Sequence, residues 1–329
     1  MFSMPTSLLF FFKFAMVEIT NNPKECKPMP GEKRKKIIFI INPISGARRH
    51  KNISYLIDKY LDSDKFHHEI KYTQYAGHAV HLSREAVDSG IDIIVAVGGD
   101  GSINEVASQM IGSRSALGII PLGSGNGLAR HLGIPRFVPW AIKLINQSRI
   151  IKIDTATVNG RPFISIAGLG FDAFVAKRFA NDNRRGFLTY AHIITNNYLS
   201  YKPKKYTLTF EDGKTLKTRS LFISFANSNQ FGFNTAIAPD ARLRDGKLDV
   251  CIVQKPKIFD LPIVANLLLL RAIDKSQYVK TIRSTHFTIK QRKNRVVNID
   301  GEAIKISRKL TVQVLPLSLK IIIPQHEIK

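Results

Sequence analysis

The first half of the chain alternates between short apolar runs and segments whose apolar residues recur at helical spacing. The apolar runs predict four strands, at 37–41, 69–75, 93–97 and 116–122. The segments between them predict three helices, at 54–61, 79–87 and 103–111. This alternation is typical of a parallel sheet with helices on its faces.

After residue 150 the pattern changes to short β-prone runs, several of them separated by turn dipeptides such as Asn159-Gly160 and Asp300-Gly301. These runs lie at 151–158, 163–167, 205–210, 220–226, 248–253, 286–290, 296–299 and 310–315. They predict an antiparallel domain, either a sandwich or a barrel. Helices are predicted within it at 171–180 and 187–199. The apolar segment 263–272 is too short to span a bilayer and predicts a buried helix.

The fold class predicted from these patterns is α/β plus all-β. We expect a flexible lead-in over 1–33, an α/β domain over 34–150 and a β-rich domain over 151–315, with 316–329 returning to the first domain. An apolar run at 8–16 is interrupted by Lys13 and is also too short to span a bilayer. We interpret Met16 as a candidate start; a weak membrane-surface anchor is the alternative.

Composition adds a strong charge bias. The 329 residues include 49 Lys+Arg and 25 Asp+Glu, a net charge of +24. This surplus favours an anionic partner, which could be nucleic acid, anionic lipid or a nucleotide. Cys26 and Cys251 lie far apart and indicate neither a disulfide framework nor a zinc site, so a reducing compartment is the simpler interpretation.

The turn Gly98-Gly99-Asp100-Gly101-Ser102 follows an apolar strand and precedes a predicted helix. Glycines allow backbone N–H groups to approach phosphate oxygens, and the helix N-terminus carries partial positive charge. Asp100 itself would repel phosphate, and its carboxylate suits the magnesium that accompanies a nucleotide triphosphate. The alternative is a tight turn in which Asp100 caps the helix.

Further short polar segments follow other predicted strands, and one lies near the end of the second domain. They are Asn42-Pro43-Ile44-Ser45-Gly46, Thr73 with Gly77-His78-Ala79, Pro121 to Arg130, and Asn298-Ile299-Asp300-Gly301-Glu302. In open α/β sheets, ligands bind at the carboxyl ends of the strands. The sequence contains no Gly-x-x-x-x-Gly-Lys-Ser/Thr motif, so a phosphate ligand would be held by these other glycine turns.

In this order, these segments resemble the catalytic region of the diacylglycerol, sphingosine and ceramide lipid kinases, in particular the soluble bacterial ones. The matching segments are 42–46, 73 with 77–79, 98–106, 121–130, 167–173, 238–250 and 300–302. Phosphofructokinases and NAD kinases share the Gly-Gly-Asp-Gly turn. The Pro-x-Gly-Ser-Gly-Asn turn and the late Asp-Gly-Glu point to lipid kinases. The resemblance implies a parallel-sheet nucleotide-binding domain similar to those two families, followed by an antiparallel β-sandwich.

The resemblance also implies residue roles. Glu302 would accept the proton of the lipid hydroxyl with Asp300 assisting, and Asp100 and Asp172 would hold a catalytic Mg²⁺. Arg242, Asp245 and Lys247 would hold a structural Mg²⁺, the first and last through backbone carbonyls. The residues implied to line the ATP site are Asn42, Pro43, Ser45, Gly46, Thr73, Gly98, Gly99, Asp100, Gly101, Ser102, Asn104, Glu105, Gly123 and Ser124.

The sequence therefore predicts an ATP-dependent lipid kinase of phospholipid metabolism whose substrate is diacylglycerol-like or sphingoid. Ser102 and Ser124 replace threonines that are common in relatives. Gly127 replaces an aspartate of many diacylglycerol kinases and is closer to the sphingosine kinase form. We expect a cytoplasmic protein, peripheral at the inner membrane face and attracted to anionic phospholipid. Nucleic acid is not an expected partner, and a homodimer is left open.

Three alternatives are weighed against this prediction. NAD kinase shares the first glycine turn. A non-catalytic basic protein that binds nucleic acid or membranes could retain a kinase-like scaffold. The segment Gly168-Leu169-Gly170-Phe171-Asp172-Ala173 mimics a dinucleotide fingerprint, but residues 186–210 lack the acidic residue that such a site requires.

Overall fold

A computed structural model describes residues 34–46, 52–182, 186–232, 235–293 and 295–325. The predicted lead-in, the apolar run at 8–16 and Cys26 lie outside these residues. Helices in the described part are α1 Ile53–Tyr60, α2 His78–Asp88, α3 Asp100–Met110, α4 Gly127–His131, α5 Val138–Gln147, α6 Phe171–Ala180, α7 Phe187–Tyr198 and α8 Leu261–Leu269. Short 3-10 helices lie at Ile258–Asp260 and Ile273–Lys275.

Four parallel strands form one side of the larger sheet, where four were predicted, although the second begins and ends three residues earlier than the predicted 69–75. They are β1 Lys35–Ile41, β2 Phe66–Tyr72, β3 Ile93–Gly98 and β4 Ala116–Pro121, in the order β2-β1-β3-β4. Every residue of β3 and β4 is buried. Strands that are covered on both faces read as continuous apolar runs, which explains their clear sequence signal.

The same sheet continues beyond β4 with antiparallel partners, through a long strand near the end of the chain. Its further strands are β5 Ile150–Val158, β6 Arg161–Phe163, β8 Lys204–Phe210, β9 Thr215–Ser220, β15 His286–Gln291 and β18 Lys309–Ile322. Lys320 and Ile321 of β18 pair in parallel with β4. β18 is also antiparallel to β15 and to β5, the latter through residues that include Lys320 and Ile321, so one strand joins the two kinds of pairing.

A second sheet is antiparallel throughout, with strand order β14-β13-β10-β7-β16-β17. Its strands are β7 Ile166–Gly170, β10 Phe222–Ala226, β13 Leu248–Val253, β14 Val279–Ser284, β16 Arg295–Ile299 and β17 Glu302–Ile306. The short pair β11 Gln230–Gly232 and β12 Thr235–Ala236 stands apart. A shared apolar core lies between residues of this sheet and the antiparallel part of the larger one, among them Leu169, Phe225 and Phe287. The predicted fold class, α/β followed by an antiparallel sandwich, is confirmed.

Two predictions about elements of the second half are wrong in part. The strand predicted over 163–167 is divided between β6 and β7, because the backbone N–H groups of residues 164–166 donate to the Asp300 carboxylate. The helix predicted at 263–272 exists as α8, but it is not buried. Ile263 at 62% exposure and Leu270, just beyond the helix, at 68% face outward.

Within the residues described, none of the helices is both long and apolar enough to cross a bilayer.

Candidate functional site

The loops that follow β1 and β3 touch each other through side chains and glycine backbone. The Asn42 Nδ2 group donates to Ser102 Oγ at 2.9 Å, and Asn42 Oδ1 accepts from the backbone N–H of Ile44 at 3.0 Å. At Gly98, a Cβ would lie only 2.7 Å from the Ser102 side chain. These contacts place the predicted ATP residues of both loops at the same sheet edge.

The loop after β4 is joined to this group by Asp100, the first residue of α3. One Asp100 oxygen accepts from the backbone N–H of Asn126 at 2.7 Å and the other from that of Gly127 at 2.6 Å. The carboxylate therefore caps α4, the helix of the neighbouring loop, rather than its own helix. Capping of this kind satisfies backbone donors that a helix leaves unpaired at its start.

Two glycines of the loop after β4 allow this close approach. A Cβ on Gly123 would lie 2.7 Å from the Gly99 Cα, and one on Gly125 would lie 2.5 Å from Asp100 Oδ2. Backbone cannot move aside as cheaply as the end of a flexible side chain. The glycine pattern is therefore required for the packing of one loop on the other.

The loop after β2 reaches the same edge through α3. The backbone N–H of Gly77 donates to Glu105 Oε1 at 3.3 Å, and the N–H of Thr73 extends the ladder by donating to the Ile41 carbonyl at 2.9 Å. Burial raises the pKa of Glu105, whereas hydrogen bonds from Gly77 and Ala79 oppose the rise. Four loops thus meet where four parallel strands end, as predicted for open α/β sheets.

The turn between β16 and β17 holds Asp300 in a buried network. Its carboxylate accepts three backbone N–H groups, from Ile164 at 2.7 Å, Ser165 at 2.9 Å and Ile166 at 2.8 Å. Asp300 and Gly301 both have positive φ, at 45° and 93°, which is the conformation of a tight hairpin turn. Burial raises the pKa of Asp300 to about 6; the three N–H groups oppose that rise, and the charge of Asp100 adds to it.

Glu302 begins β17 directly after this turn and is exposed. Its charge raises the pKa of Glu105, as that of Asp100 does for Asp300. Both effects act between carboxylates, and they indicate that the hairpin of the second sheet lies near the loops of the parallel strands. The structure therefore brings Asp300 and Glu302 near Asp100 and Glu105, although they are about 200 residues apart in sequence.

Asp172 lies in a different setting. It is buried at the start of α6, where both carboxylate oxygens accept from Asn298 Nδ2, at 3.1 and 3.0 Å. Burial raises the pKa of Asp172 to about 6, opposed by this bond. Asn298 Oδ1 in turn accepts the Gly301 N–H at 2.9 Å. Asp172 thus supports the turn that carries Asp300 and Glu302.

The loop predicted to hold a structural Mg²⁺ is fixed by a residue that was not predicted. Asp154 accepts from the backbone N–H groups of Gly246 and Leu317, each at 2.7 Å. Asp245 accepts the N–H of Lys247 at 3.0 Å within the loop, and Arg242 and Lys247 are exposed. The two hydrogen bonds of Asp154 connect this loop to Leu317 in β18.

Neither predicted metal position contains a cluster of protein ligands. In the ranges that the structure covers, no three His, Cys, Asp or Glu side chains come together as a metal site. Asp100 binds two backbone N–H groups, and Asp172 is closed in by Asn298. The predicted structural site would use two backbone carbonyls beside Asp245, so a side-chain cluster is not required there. The assignment of Asp100, Asp172 and Asp245 as ligands stays a prediction.

Asn126 and Asn298 lie inside the sequence motifs, and the structure shows which groups their side chains bind. Asn126 has positive φ of 51°, and its Nδ2 group donates to the Gly123 carbonyl at 2.6 Å. Asn298 could have been singled out from the sequence, because it is a polar residue in an otherwise apolar buried strand. Both asparagines hold the backbone that presents the predicted site residues.

The dinucleotide-like glycines of β7 have a packing role. A Cβ on Gly168 would lie 2.4 Å from Asp172 Oδ2, and one on Gly170 would lie 2.6 Å from the Leu221 carbonyl oxygen. β7 is antiparallel to both of its neighbours, β10 and β16. This is not the strand–turn–helix unit of a parallel sheet that a dinucleotide site uses.

Comparisons with known proteins agree with this geometry. Residues 36–158 match the model of the diacylglycerol kinase catalytic domain, and residues 165–323 match that of the YegS C-terminal NAD kinase beta sandwich-like domain. The "Diacylglycerol kinase" of Bacillus subtilis (strain 168) is 29% identical over 276 residues, covering 82% of this chain and 90% of the relative.

A "Probable lipid kinase YegS-like" of Chromohalobacter salexigens is 32% identical over 195 residues, which is 57% of this chain and 62% of that protein. Among solved structures, a diacylglycerol kinase from Bacillus anthracis str. Sterne superposes with a TM-score of 0.69 at 19% identity. That superposition covers 89% of this chain and 98% of the other. The structural match supports the two-part fold described above.

Proposed function

We propose that this chain, which belongs to the lipid kinase family of diacylglycerol kinase and YegS-like proteins, transfers the γ-phosphoryl group of ATP to the hydroxyl group of a lipid alcohol. The observation that carries the proposal is that the glycine-rich loops and the turn before Glu302 lie near each other. Glycine-rich loops converge at the carboxyl ends of β1 to β4. The exposed Glu302 follows the hydrogen-bonded Asp300 turn, and its charge raises the pKa of Glu105 beside those loops.

The glycine loops would bind the phosphates of the nucleotide. The start of α3 contributes partial positive charge, and the absence of side chains at Gly98, Gly99 and Gly123 lets phosphate oxygens approach backbone N–H groups. Asp100 would keep the loop after β4 in the required position through its bonds to Asn126 and Gly127. Magnesium enters this proposal as part of the Mg·ATP substrate.

Glu302 would act on the acceptor. Phosphoryl transfer passes through a loose transition state, so the carboxylate mainly orients the alcohol and takes its proton as the new P–O bond forms. An exposed side chain can reach a lipid hydroxyl, whereas the Asp300 carboxylate is already bound to three N–H groups. Asp300 would therefore fix the turn while Glu302 receives the proton.

The substrate class is a lipid alcohol, either diacylglycerol-like or sphingoid. The names of the relatives favour diacylglycerol. Gly127, whose backbone N–H binds Asp100, lacks the carboxylate that many diacylglycerol kinases carry after the asparagine. The phosphate-transfer assay described next distinguishes a diacylglycerol-like substrate from a sphingoid one.

The test is transfer of the labelled γ-phosphate of ATP, with Mg²⁺, to lipids in mixed micelles. The panel contains diacylglycerol, monoacylglycerol, sphingosine, ceramide and phosphatidylglycerol, with NAD as a soluble acceptor. We expect label in one lipid class, and loss of that label in Glu302→Gln. Label in NAD alone would overturn the proposal in favour of an NAD kinase.

Absence of label in every acceptor, with salt-sensitive binding of nucleic acid, would favour a non-catalytic basic protein. Salt sensitivity is the expected signature because binding to a phosphate backbone releases counterions.

A further inference from the structure

The segment from Ile258 to Leu270 forms an apolar protrusion on the second half of the chain. Phe259 is 89% exposed, and Ile263 and Leu270 are more than 60% exposed. From Leu261 to Leu270 the sequence contains no charged residue. Exposed apolar side chains that occur singly are ordinary, but a contiguous group of this kind marks a surface that other molecules cover.

One side of α8 already has a protein partner. Val264, Leu267 and Leu268 pack against a buried cluster that includes Ile237 and Ile273. The exposed part carries Ile263, Leu269 and, just beyond the helix, Leu270, with Asn266 as its polar residue. A helix whose exposed residues are mostly apolar normally has an apolar environment on that side. The outer side of α8 therefore calls for an apolar medium that the described chain does not provide.

Charges around the protrusion indicate what that medium is. Lys257 and Lys275 are exposed at its two ends. Of the nearby carboxylates, Asp260 accepts the hydroxyl of Tyr278, whereas Asp274 is exposed. The whole chain has a net charge of +24. Apolar side chains flanked by cations on a cationic protein match the layered chemistry of an anionic lipid surface, with acyl chains below charged headgroups.

We propose that the segment 258–270, termed the apolar protrusion, inserts its outer side chains into the headgroup–acyl boundary of an anionic membrane. The inference rests on the proposed function, since a kinase that acts on lipid alcohols must reach them in the bilayer. It identifies the docking face as the second half of the chain.

The protrusion is also connected by packing to the predicted catalytic turn. Leu261 packs against the cluster that contains Phe171, the first residue of α6. The next residue, Asp172, is bonded to Asn298, which holds the turn before Glu302. Docking through this segment would place the bilayer against the half of the protein that carries the proposed proton acceptor.

The test measures vesicle binding without ATP, so that it is independent of catalysis. Co-sedimentation is compared for phosphatidylcholine vesicles and for vesicles containing 30% phosphatidylglycerol. We expect binding to the anionic vesicles, weakened about tenfold or more by Phe259→Ser and by Leu270→Ser, because each change removes one exposed apolar side chain that would enter the bilayer. Tyr55→Ser, at an exposed position of helix α1 in the first half of the chain, is the matched control and should bind as the unaltered protein does.

A second readout reports insertion directly. In a Trp140→Phe background, a tryptophan introduced by Phe259→Trp should be quenched by lipids brominated on the acyl chain. Unchanged vesicle binding in both serine variants would overturn the proposal, as would absence of quenching. A shift from dimer to monomer in these variants, with vesicle binding retained, would assign the protrusion to a second copy of the chain instead.

Failure of the lipid kinase proposal gives a different result. Vesicle binding that depends on the protrusion, without label in any lipid of the panel, would support the docking surface and reject the activity.

Discussion

Replacement of Asp100 by asparagine tests how the glycine loops are held together. Each oxygen of this carboxylate accepts one backbone N–H, at 2.7 Å from Asn126 and 2.6 Å from Gly127. Asparagine offers only one acceptor, and its amide group would face the other N–H with a second donor. The variant therefore loses one hydrogen bond to a charged group and leaves a backbone donor without an acceptor.

A hydrogen bond to a charged group contributes about 1.5–3 kcal/mol. We expect Asp100→Asn to lower the free energy of unfolding by about 1–2 kcal/mol, at the lower end of that range because Asp100 is exposed. Domains have a total stability of about 5–15 kcal/mol, so the variant should remain folded. Phosphate transfer should nevertheless fall to a small fraction of the original rate, because the loops that would bind the nucleotide are displaced.

Urea unfolding, followed by far-ultraviolet circular dichroism, measures the stability change. Asp92→Asn is the matched control, because Asp92 accepts a single exposed N–H, that of Lys36 at 2.8 Å, in the same sheet. Asp92→Asn should lower the free energy of unfolding by less than about 1 kcal/mol. The reasoning is refuted if Asp100→Asn costs no more than Asp92→Asn, or if it transfers phosphate at a near-normal rate.

Three further predictions concern single side chains. Glu302→Gln should leave urea stability unchanged and reduce labelled phosphate transfer about 10²–10⁴-fold, because an exposed carboxylate would be lost as proton acceptor. Gly123→Ala should destabilise the protein by about 1–3 kcal/mol in urea through backbone collision, whereas Gly101→Ala, where a Cβ meets nothing within 4 Å, should not. Burial raises the pKa of Asp172 from 3.8 to about 6, so the folded state binds its proton more tightly than the unfolded state. The protonated Asp172 therefore adds on the order of a few kcal/mol to the free energy of unfolding below about pH 4, and this contribution is lost as the pH rises to about 6. In urea unfolding, Asp172→Asn should weaken this dependence of stability on pH.

For each of these three predictions, one result would contradict it. Normal turnover in Glu302→Gln would assign the proton acceptor elsewhere. Equal stability of Gly123→Ala and Gly101→Ala would contradict the close packing of the two loops. An unchanged pH slope in Asp172→Asn would show that Asp172 titrates normally.

The parallel half of the fold could be predicted because its signals are local. β3 and β4 are buried on both faces, so they read as uninterrupted apolar runs that end in glycine turns. In the second half of the chain, local periodicity also predicted α6 with the bounds that the structure has, and α7 to within one residue. The order of loops along one sheet edge then follows from the topology of parallel strands.

Features that depend on distant partners could not be predicted. The division of 163–167 into two strands is caused by Asp300, more than 130 residues later in the chain. The partner of Asp172 is Asn298, 126 residues away. For α8, an apolar segment shows that a helix avoids water, but it does not show whether protein or another medium surrounds it.

The long strand β18 has a consequence for how this protein is made. Lys320 and Ile321 pair with β4, so the edge of the parallel sheet is completed by residues synthesised about 200 positions after that strand. Until then the nascent chain displays an open strand edge, which is a template for pairing with other chains. A chain that lacks Lys309–Ile322 would keep this edge open, and we expect it to aggregate more readily than the chain that contains β18.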